Sequence, residues 1–474
     1  MKRLACSIFG VWMTAAAGNI PAQTYTNLIS FSGTDGSYPI AQLTQATDGK
    51  LYGTATSGGA YTDGTIFAVS PVGSLSLVYS FCPSCPTSSF NPYAAGIVQA
   101  TNGGFYGMTS QGGTANEGTV YRVGTNGILT TIYSFCAQSG CQDGSSPYGG
   151  LVQASNGDFY GTTSTGGTNG HGTVFRITTA GTLTTLYSFC VQPNCTDGAA
   201  PEAALIQATN GDLYGTTARG GVNNTGTVFR ITPAGALTRV QSFTACAGDV
   251  CAGAANPAYE SLVQGTNGNF YGTTRGGGAH SSGTVFRITP AGVLTTLYSF
   301  CALSGCVDGY EPEGGLTLAT DGNFYGTTYF GGTNYDGTIF QITPGGTLTT
   351  LHSFTGPAFD PIAAPLQDTN GVLYGTTNLG GNSGNGTVYS LSLGLSPFVK
   401  TQTVSGEVGT TVKILGTDLT GATSVTFNGV SSAFKISPSG TYISATVPAG
   451  ATTGTVQVVT PLATLDSNVS FRIP

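Results

Sequence analysis

Charged residues are scarce in this 474-residue chain, at 7% of the sequence, with 14 Lys and Arg against 21 Asp and Glu. The net charge of −7 argues against nucleic acid or an anionic membrane as a partner, because both are bound through clustered positive charge. Histidine is rarer still: the whole chain has three, so a catalytic mechanism or metal site that needs several histidines is not expected.

Two hydrophobic patterns are missing as well. Outside the N-terminal segment, no apolar run approaches the ~18 residues of a membrane-spanning helix, so we expect no membrane span. Windows with the 3.6-residue period of amphipathic helices are absent too. Apolar residues still reach 39% and aromatic residues 10%, which is more than a disordered chain carries. With 74 Gly and 22 Pro, this composition predicts a loop-rich, mostly β protein with a large buried core.

The first residues are typical of a secretory signal peptide. Lys2 and Arg3 give a charged start, an apolar run follows, and small residues end at Ala22. We predict a signal peptide at residues 1–22, cleaved after Ala22 or, as a second choice, after Ala17. The protein is therefore expected to be extracellular or at the cell surface.

An internal repeat of about 54 residues is the most informative feature of the sequence. A Tyr-Gly dipeptide recurs at this spacing, beginning at Tyr52, Tyr106, Tyr160, Tyr214, Tyr271, Tyr325 and Tyr374. The third repeat predicts four short strands: A at Leu151–Ala154, B at Asp158–Thr163, C at Thr173–Thr178 and D at Thr182–Phe189. Asn-Gly or Asp-Gly separates A from B in every repeat, which predicts a type I′ hairpin turn.

The two ends of the repeat array complement each other. Tyr25–Phe31 matches strand D alone, and the seventh repeat ends after its strand C at Thr387–Leu393. The N-terminal strand can therefore complete the last unit and close a ring, which an open solenoid would not explain. We predict an all-β fold, with a seven-bladed β-propeller over residues 23–394.

The long connections of such a propeller fall on one face. Strands alternate in direction, so the B–C and D–A loops share this face, here called the long-loop face, and the tight A–B and C–D turns share the other. Ligands are expected at the long-loop face or at the mouth of the central channel, because binding residues favour loops on a rigid scaffold.

All cysteines outside the leader lie in D–A loops. They predict five local disulfides: Cys82–Cys85, Cys136–Cys141, Cys190–Cys195, Cys246–Cys251 and Cys301–Cys306. A zinc site is the less favoured interpretation, since it would need four ligands from two loops.

Asp-Gly pairs recur in the same loops, at Asp35, Asp143, Asp197 and Asp308. A turn role is favoured for them, because aspartate stabilises turns through its own side-chain hydrogen bonds. Calcium is the alternative, although it needs six to eight oxygen ligands. No other cofactor and no metal site is expected.

A proline precedes strand A in every repeat, and the residue after it is expected to ring the channel mouth. Tyr93, Tyr148, Glu202 and Glu313 occupy this position and are the candidate ligand-binding residues, suited to a glycan or a small polar ligand. Ordinary surface variation is the alternative interpretation. No catalytic residue is assigned.

From about Leu395 the repeat stops, and residues 395–474 predict a small β-sandwich. Its expected strands are Val412–Leu415, Ser424–Phe427, Tyr442–Ala445 and Thr455–Val459.

Both parts of the chain resemble known families. Gly-Thr-Thr-Val-Lys-Ile-Leu-Gly from Gly409 and Gly-Ala-Thr-Ser-Val-Thr-Phe-Asn-Gly from Gly421 resemble the immunoglobulin-like IPT/TIG domain. The repeat Phe-Tyr-Gly-Thr-Thr…Gly-Gly…Gly-Thr-Val-Phe-Arg-Ile-Thr resembles the Gloeobacter/Verrucomicrobia ("GloVer") repeat of exported bacterial proteins. The resemblance implies a bacterial extracellular or cell-surface protein and implies no catalytic residues.

Three functional hypotheses follow. The preferred one is a secreted or cell-surface binding or adhesion protein that recognises a polysaccharide, or another surface ligand such as a cell-surface protein, through the long-loop face. The second is a hydrolase or lyase acting on polysaccharide, with Glu202 and Glu313 as the acids. The third is a purely structural envelope protein.

Overall fold

The structure of the protein, a computed structural model, describes residues 23–82, 89–90, 92, 96–243, 246–247, 250–251, 254–257, 261–356 and 358–474. The predicted signal peptide, Tyr93 and Cys85 lie outside these residues. Short 3-10 helices at Ser139–Cys141, Pro193–Cys195 and Ser304–Cys306 are the helical elements of the described chain. None of its helices has the length and apolarity to cross a membrane.

The described repeats form seven antiparallel sheets, numbered 1 to 7 in the order of their Tyr-Gly dipeptides, each with the strand order A-B-C-D. The A strands are Thr44–Gln45, Val98–Gln99, Val152–Gln153, Ile206–Gln207, Val263–Gln264, Thr317–Leu318 and Leu366–Gln367. The B strands are Leu51–Ala55, Phe105–Thr109, Phe159–Thr163, Leu213–Thr217, Phe270–Gly277, Phe324–Thr328 and Leu373–Thr377. The C strands are Thr65–Val69, Thr119–Val123, Thr173–Ile177, Thr227–Ile231, Thr284–Ile288, Thr338–Ile342 and Thr387–Ser392. The D strands of sheets 1 to 6 are Leu75–Ser80, Leu129–Ser134, Leu183–Ser188, Leu237–Ser242, Leu294–Ser299 and Leu348–Ser353.

The long connections also form four short antiparallel strand pairings. Ser89–Phe90 pairs with Gln111–Gly112, and Ala358–Phe359 pairs with Leu379–Gly380. Cys246–Ala247 pairs with Val250–Cys251. Ala254–Pro257 adds a strand to sheet 5.

The N-terminal strand supplies strand D of sheet 7, as predicted. Thr24–Ser30 runs antiparallel to Thr387–Ser392, with Thr24 opposite Ser392 and Ser30 opposite Thr387. The Tyr25 ring stacks on His352 of sheet 6, with 3.9 Å between the ring centroids. Both ends of the repeat array therefore meet in one sheet.

Cross-strand packing explains the glycine of the Tyr-Gly dipeptide. Gly161 lies on strand B opposite Phe175 on strand C. A Cβ atom at Gly161 would lie 2.7 Å from Cζ of Phe175, closer than packing allows. The aromatic ring of the Gly-Thr-Val-Phe string thus fills the space that the missing side chain leaves.

The expected type I′ turn between strands A and B is wrong. In the first repeat Gly49 has φ +79°, but Asp48 keeps a negative φ, whereas type I′ needs positive values at both positions. The amide of Gly49 donates to Ala46 O, and the amide of Ala46 donates to Lys50 O, which closes a three-residue loop. The Asp48 side chain explains the choice, because it accepts hydrogen bonds from the Lys50 amide and the Tyr52 hydroxyl.

Consecutive sheets pack face to face through apolar clusters. In the described chain seven such clusters join sheets 1–2, 2–3, 3–4, 4–5, 5–6, 6–7 and 7–1. The last of these brings Phe31 and Val388 of sheet 7 together with Leu43 and Phe67 of sheet 1. The first and last sheets are therefore neighbours.

Polar contacts repeat the same cyclic order. Gln99 accepts a hydrogen bond from the Thr47 amide of the preceding sheet at 2.8 Å, and Gln153, Gln207, Gln264 and Gln367 do the same at their junctions. At the junction between sheets 7 and 1, Gln45 bonds the hydroxyl of Thr369 at 2.7 Å and accepts from its amide at 3.3 Å.

The cysteine prediction is confirmed where the structure describes both partners. Disulfides join Cys136–Cys141, Cys190–Cys195 and Cys301–Cys306. Cys82 is disulfide-bonded, while its predicted partner Cys85 and the side chains of Cys246 and Cys251 lie outside the described residues. Disulfides of this kind indicate an oxidising environment.

The C-terminal residues fold into two four-stranded sheets around one apolar core that includes Ile414, Phe427, Ile443 and Val458. The first sheet has the order Lys400–Thr401, Thr411–Leu415, Tyr442–Thr446 and Phe434–Ile436. The second has the order Val430–Ser431, Ser424–Phe427, Val456–Val459 and Thr464–Asp466. All four predicted strands are present, and the sequence interpretation missed the four short outer ones.

Candidate functional site

The predicted ligand-binding residues differ in their surroundings. Glu313 is 9% exposed and has several charged neighbours, while Glu202 is half-buried and has Arg219 as its electrostatic partner. Tyr148 is half-buried, and Tyr93 cannot be placed because it lies outside the described residues. Within the described chain no hydrogen bond or ion pair joins Glu202 to Glu313. The structure therefore builds a charged cluster around one of the two glutamates and not around both.

Arg275 brings two glutamates together. Its Nη2 lies 3.2 Å from Oε2 of Glu311, and its Nε lies 3.3 Å from Oε1 of Glu313. Arg275 lies near the end of strand B of sheet 5, Phe270–Gly277, and both glutamates lie in the loop that leads into sheet 6. One guanidinium thus holds two carboxylates at the junction of these sheets.

Asp360 extends the cluster toward sheet 7. Its side chain is 8% exposed and accepts a hydrogen bond from the hydroxyl of Tyr329. It also acts electrostatically on Glu313. Arg275, Glu311, Glu313, Tyr329 and Asp360 are called the carboxylate cluster below.

The environment favours protonation of the buried acids. Burial raises the pKa of Glu313, and the negative charges of Glu311 and Asp360 raise it further, while Arg275 opposes them. Burial also raises the pKa of Asp360, against the hydrogen bond from Tyr329. The pKa of Tyr329 is raised to about 12, mainly by burial and then by the charge of Asp360. Three carboxyl groups and one guanidinium share a small space, so the site has excess negative charge.

The residues of the carboxylate cluster occupy three positions of the repeat. One position directly follows the Tyr-Gly-Thr-Thr string, and the other two lie directly before and directly after the proline that precedes strand A. Glu311, directly before that proline, has φ +53°, and its backbone bonds Ser282 and Tyr329. Tyr38, Ser146, Ala200 and Asp360 hold the same conformation in other repeats. The positive φ therefore belongs to the scaffold, and the side chain at this position is free to vary.

Sequence reasoning missed Arg275, Glu311, Tyr329 and Asp360 because it compared only the residue after the proline. Position-by-position comparison of the repeats would have found them. The position of Arg275 and Tyr329 holds Thr56, Ser110, Ser164, Ala218 and Asn378 in the other repeats. At this position a charged or aromatic residue thus occurs in the fifth and sixth repeats only.

Aromatic rings lie beside the carboxylate cluster. Tyr310 stacks on Phe330 with 5.3 Å between centroids, and Tyr329 meets Phe330 edge-on at 4.4 Å. Tyr335, at the tip of the same B–C loop, is 56% exposed. This group, called the aromatic patch, consists of Tyr310, Tyr329, Phe330 and Tyr335. It offers ring faces next to charged groups on the long-loop face.

The aspartates of the disulfide loops serve the loops themselves. Asp197 accepts hydrogen bonds from the amides of Val191 and Gln192 and from the hydroxyl of Tyr187 at 2.8 Å. Asp143 and Asp308 make the equivalent bonds in their loops. These contacts fit the turn interpretation, and calcium binding stays a hypothesis.

His171 lies near two cysteines. Its ring nitrogen and the sulfur atoms of Cys190 and Cys195 lie within 4.8 Å of one another. Because these two sulfur atoms form a disulfide, neither is a free thiolate that could bind zinc.

Comparisons with solved structures give weak likenesses. A fungal alcohol oxidase of the AA5 family in complex with copper shares 13% identity, over 95% of this chain and 99% of that one, with a TM-score of 0.49. An auxiliary nutrient binding protein from Bacteroides ovatus shares 14% identity, over 78% of this chain and 76% of that one, with a TM-score of 0.43. A protein of unknown function from Dyadobacter fermentans shares 11%, over 79% and 100%, with a TM-score of 0.43.

The comparison of sequences is more informative. No curated protein matches the chain. The family model of the Gloeobacter/Verrucomicrobia repeat matches it three times, over residues 14–142, 137–319 and 251–443. These stretches overlap and include all seven Tyr-Gly dipeptides. The chain therefore belongs to the Gloeobacter/Verrucomicrobia repeat family.

Proposed function

We propose that the protein is an exported binding or adhesion protein, secreted or held at the cell surface, that recognises a polysaccharide through its long-loop face. The observation that carries the proposal is the carboxylate cluster next to the aromatic patch. Sugar hydroxyls both donate and accept hydrogen bonds, so they suit carboxylates and a guanidinium in one place. The apolar faces of sugar rings pack on aromatic side chains such as the exposed Tyr335.

The proposed scaffold is a closed seven-bladed propeller followed by an immunoglobulin-like domain of the IPT/TIG type. The contacts of sheet 7 with sheet 1, through Gln45 and Thr369 and through the shared apolar cluster, support closure. Two sheets around one core support the β-sandwich at the C-terminus. The signal peptide predicted at residues 1–22 and the three disulfides support export.

Binding to a polysaccharide and glycan panel tests the proposal, with wild-type protein and with Tyr335→Ala. The loss of one exposed ring face is expected to weaken the affinity at least about tenfold, or ~1.4 kcal/mol. Tyr61→Ala is the matched control, because Tyr61 is 52% exposed in the corresponding loop of sheet 1. Parallel assays with calcium and with EDTA test the calcium hypothesis.

Equal loss of affinity in both tyrosine variants would remove the aromatic patch from the proposal. Binding to no glycan would contradict polysaccharide recognition, and a screen against cell-surface proteins would then test the other kind of partner.

A hydrolase or lyase is the second candidate, and the raised pKa of Glu313 favours it. A carboxyl group whose pKa is raised by burial and by neighbouring carboxylates is suited to act as a general acid. Glu313→Gln and Glu202→Gln should then abolish the release of reducing or unsaturated ends from the bound polysaccharide, while binding persists. Turnover that survives both substitutions would exclude these acids. A protein with neither binding nor turnover would fit the third hypothesis, a structural role in the envelope.

A further inference from the structure

A cavity of about 380 Å³ lies among the A strands of sheets 1 to 5. Five of its lining residues occupy the same position in successive sheets: Gln42, Gly96, Gly150, Ala204 and Ser261. They lie two residues before the A strands, and because two of them are glycines, no side chain covers the backbone N–H and C=O groups there. The volume falls within the ~300–1,000 Å³ typical of small-molecule sites.

The C-terminal residues cover the end of this cavity at the A–B turns. Gln402 donates to the carbonyl of Gln99 at 3.0 Å, and Lys413 donates to that of Thr101 at 3.1 Å, both in sheet 2. Thr441 donates to Thr47 O in sheet 1 at 2.6 Å. Asn468 donates to Leu318 O in sheet 6 at 3.3 Å, so the contacts reach across the ring of sheets. Entry to the cavity is therefore expected from the long-loop face.

Lys400 is the charged residue of the cavity lining. It lies on the first strand of the C-terminal part, opposite Leu415. Its side chain is solvent-exposed within the cavity, and the surrounding protein lowers its pKa through partial desolvation while the charge of Asp368 opposes this. In the described part of the chain its ammonium group has no hydrogen bond and no ion pair within 4.0 Å.

Asp368 is the carboxylate that acts on Lys400 electrostatically, from beyond ion-pair distance. It is 2% exposed, and its Oδ1 has no hydrogen-bond partner. The other six repeats hold a small residue at this position: Ala46, Ala100, Ala154, Ala208, Gly265 and Ala319. An acid therefore lies near the lysine in one repeat only, and it is too far away to form an ion pair with the ammonium group.

We propose that this cavity binds a small polyhydroxylated carboxylate, such as a sugar acid, with Lys400 as its counter-ion. The ammonium group of Lys400 lies in the cavity lining without an ion-pair partner, and a ligand carboxylate would supply one through charge-assisted hydrogen bonds. A single negative charge fits better than a dianion because Asp368 already contributes negative charge nearby. The remaining lining carries no second charge: Ser261 and the side-chain oxygen of Gln42, whose amide nitrogen donates to Thr317, can bond the hydroxyl groups, and aliphatic side chains such as Leu151 and Leu205 can contact the carbon skeleton.

A structural role for the lysine is the competing explanation. Lys400 and Asp368 would then hold the C-terminal part on sheet 7 through their mutual attraction. The two explanations differ in what Asp368→Asn does. It weakens the docking if the pair is structural, but leaves carboxylate binding intact or stronger if Lys400 serves a ligand.

The experiment measures binding of sodium glucuronate, sodium gluconate and glucose to the full chain by calorimetry. Both carboxylates are expected to bind saturably at millimolar concentrations, and neutral glucose is not. Lys400→Met should weaken carboxylate binding at least tenfold. Lys435→Met, which removes the same charge from an exposed position of the C-terminal part, should leave it unchanged.

Three results would overturn the proposal: no binding of either carboxylate, equal binding of glucose, or unchanged binding in Lys400→Met. A lower melting temperature in both Lys400→Met and Asp368→Asn with unchanged carboxylate binding would establish the structural role instead. The outcome is independent of the long-loop site, because carboxylate binding there would respond to Tyr335→Ala and not to Lys400→Met.

Discussion

Deletion of residues 23–31 is expected to lower the melting temperature by roughly 10 °C or more. The deletion removes strand D of sheet 7, which leaves the edge of Thr387–Ser392 unpaired. It also removes Phe31, which is 0% exposed and meets the Phe67 ring of sheet 1 at 5.0 Å. Loss of one such buried phenylalanine alone costs about 3–5 kcal/mol. Thermal unfolding followed by circular dichroism measures the effect.

Asn27→Ala is the control for this deletion, because Asn27 lies in the same strand with an exposed side chain. A surface substitution of this kind is expected to change stability by no more than ~0.5 kcal/mol. If the deletion left the melting temperature unchanged, the N-terminal strand would not hold the first and last sheets together. The proposed closed ring would then lose its main support.

The repeated framework could be predicted because each of its signals is local. In the third repeat the expected strand C, Thr173–Thr178, differs by one residue from the observed Thr173–Ile177. Tight turns and the spacing of Tyr-Gly and Gly-Thr-Val-Phe fix strand order within about 54 residues. The pairing of the N-terminal strand as strand D of sheet 7 could also be predicted, because its sequence pattern matches the other D strands.

The A–B turn shows the limit of reading a dipeptide alone. Asp-Gly favours type I′ in an isolated two-residue loop. Here the Asp48 carboxylate bonds the Lys50 amide and the Tyr52 hydroxyl, and these contacts hold Asp48 at negative φ. The tyrosine belongs to the Tyr-Gly dipeptide, so the two repeated motifs select the turn together.

The carboxylate cluster could not be predicted in the same way. Arg275 and Glu313 belong to different repeats, and they meet because the end of strand B of one sheet lies beside the connection into the next. Comparison of the repeats can show that the residues at these positions vary. It cannot show which charged side chains form ion pairs, because that depends on how neighbouring loops pack. Lys400 was harder still, since nothing in the linker sequence indicates that the C-terminal part covers the A–B turns.

Residues that recur in the repeats and residues found in single repeats serve different purposes. Residues that hold the sheets together, such as Gln99 and Gln153, recur at nearly every junction. Residues of the carboxylate cluster lie on the opposite face, and apart from Glu313, whose position holds Glu202 in the fourth repeat, each occurs in one repeat only. The scaffold can therefore keep its shape while side chains at the long-loop face change, so relatives with the same repeat need not share a ligand.

Gly386→Ala is expected to destabilise the protein by roughly 2 kcal/mol more than Gly384→Ala does. Both glycines lie in the same loop of sheet 7 with positive φ, +93° and +75°, so both substitutions strain the backbone. Only at Gly386 would the new Cβ collide, at 2.5 Å from Thr377 O and 2.6 Å from Cδ of Pro39. Pro39 precedes strand A of sheet 1, so the collision falls at the junction of the first and last sheets.

Denaturant unfolding of the two variants measures this difference through the shift in midpoint at an unchanged slope. Equal midpoints would mean that the junction yields to an extra methyl group, and that Pro39 does not pack tightly on Gly386. The same contact recurs between Gly172 and Pro201 within the array, where the Cβ would lie 2.7 Å from the proline Cδ. If the ring is closed and uniform, Gly172→Ala should therefore cost about as much as Gly386→Ala. In an open array Gly386→Ala would keep the collision with Thr377 O and lose the one with Pro39, so it should then cost less than Gly172→Ala.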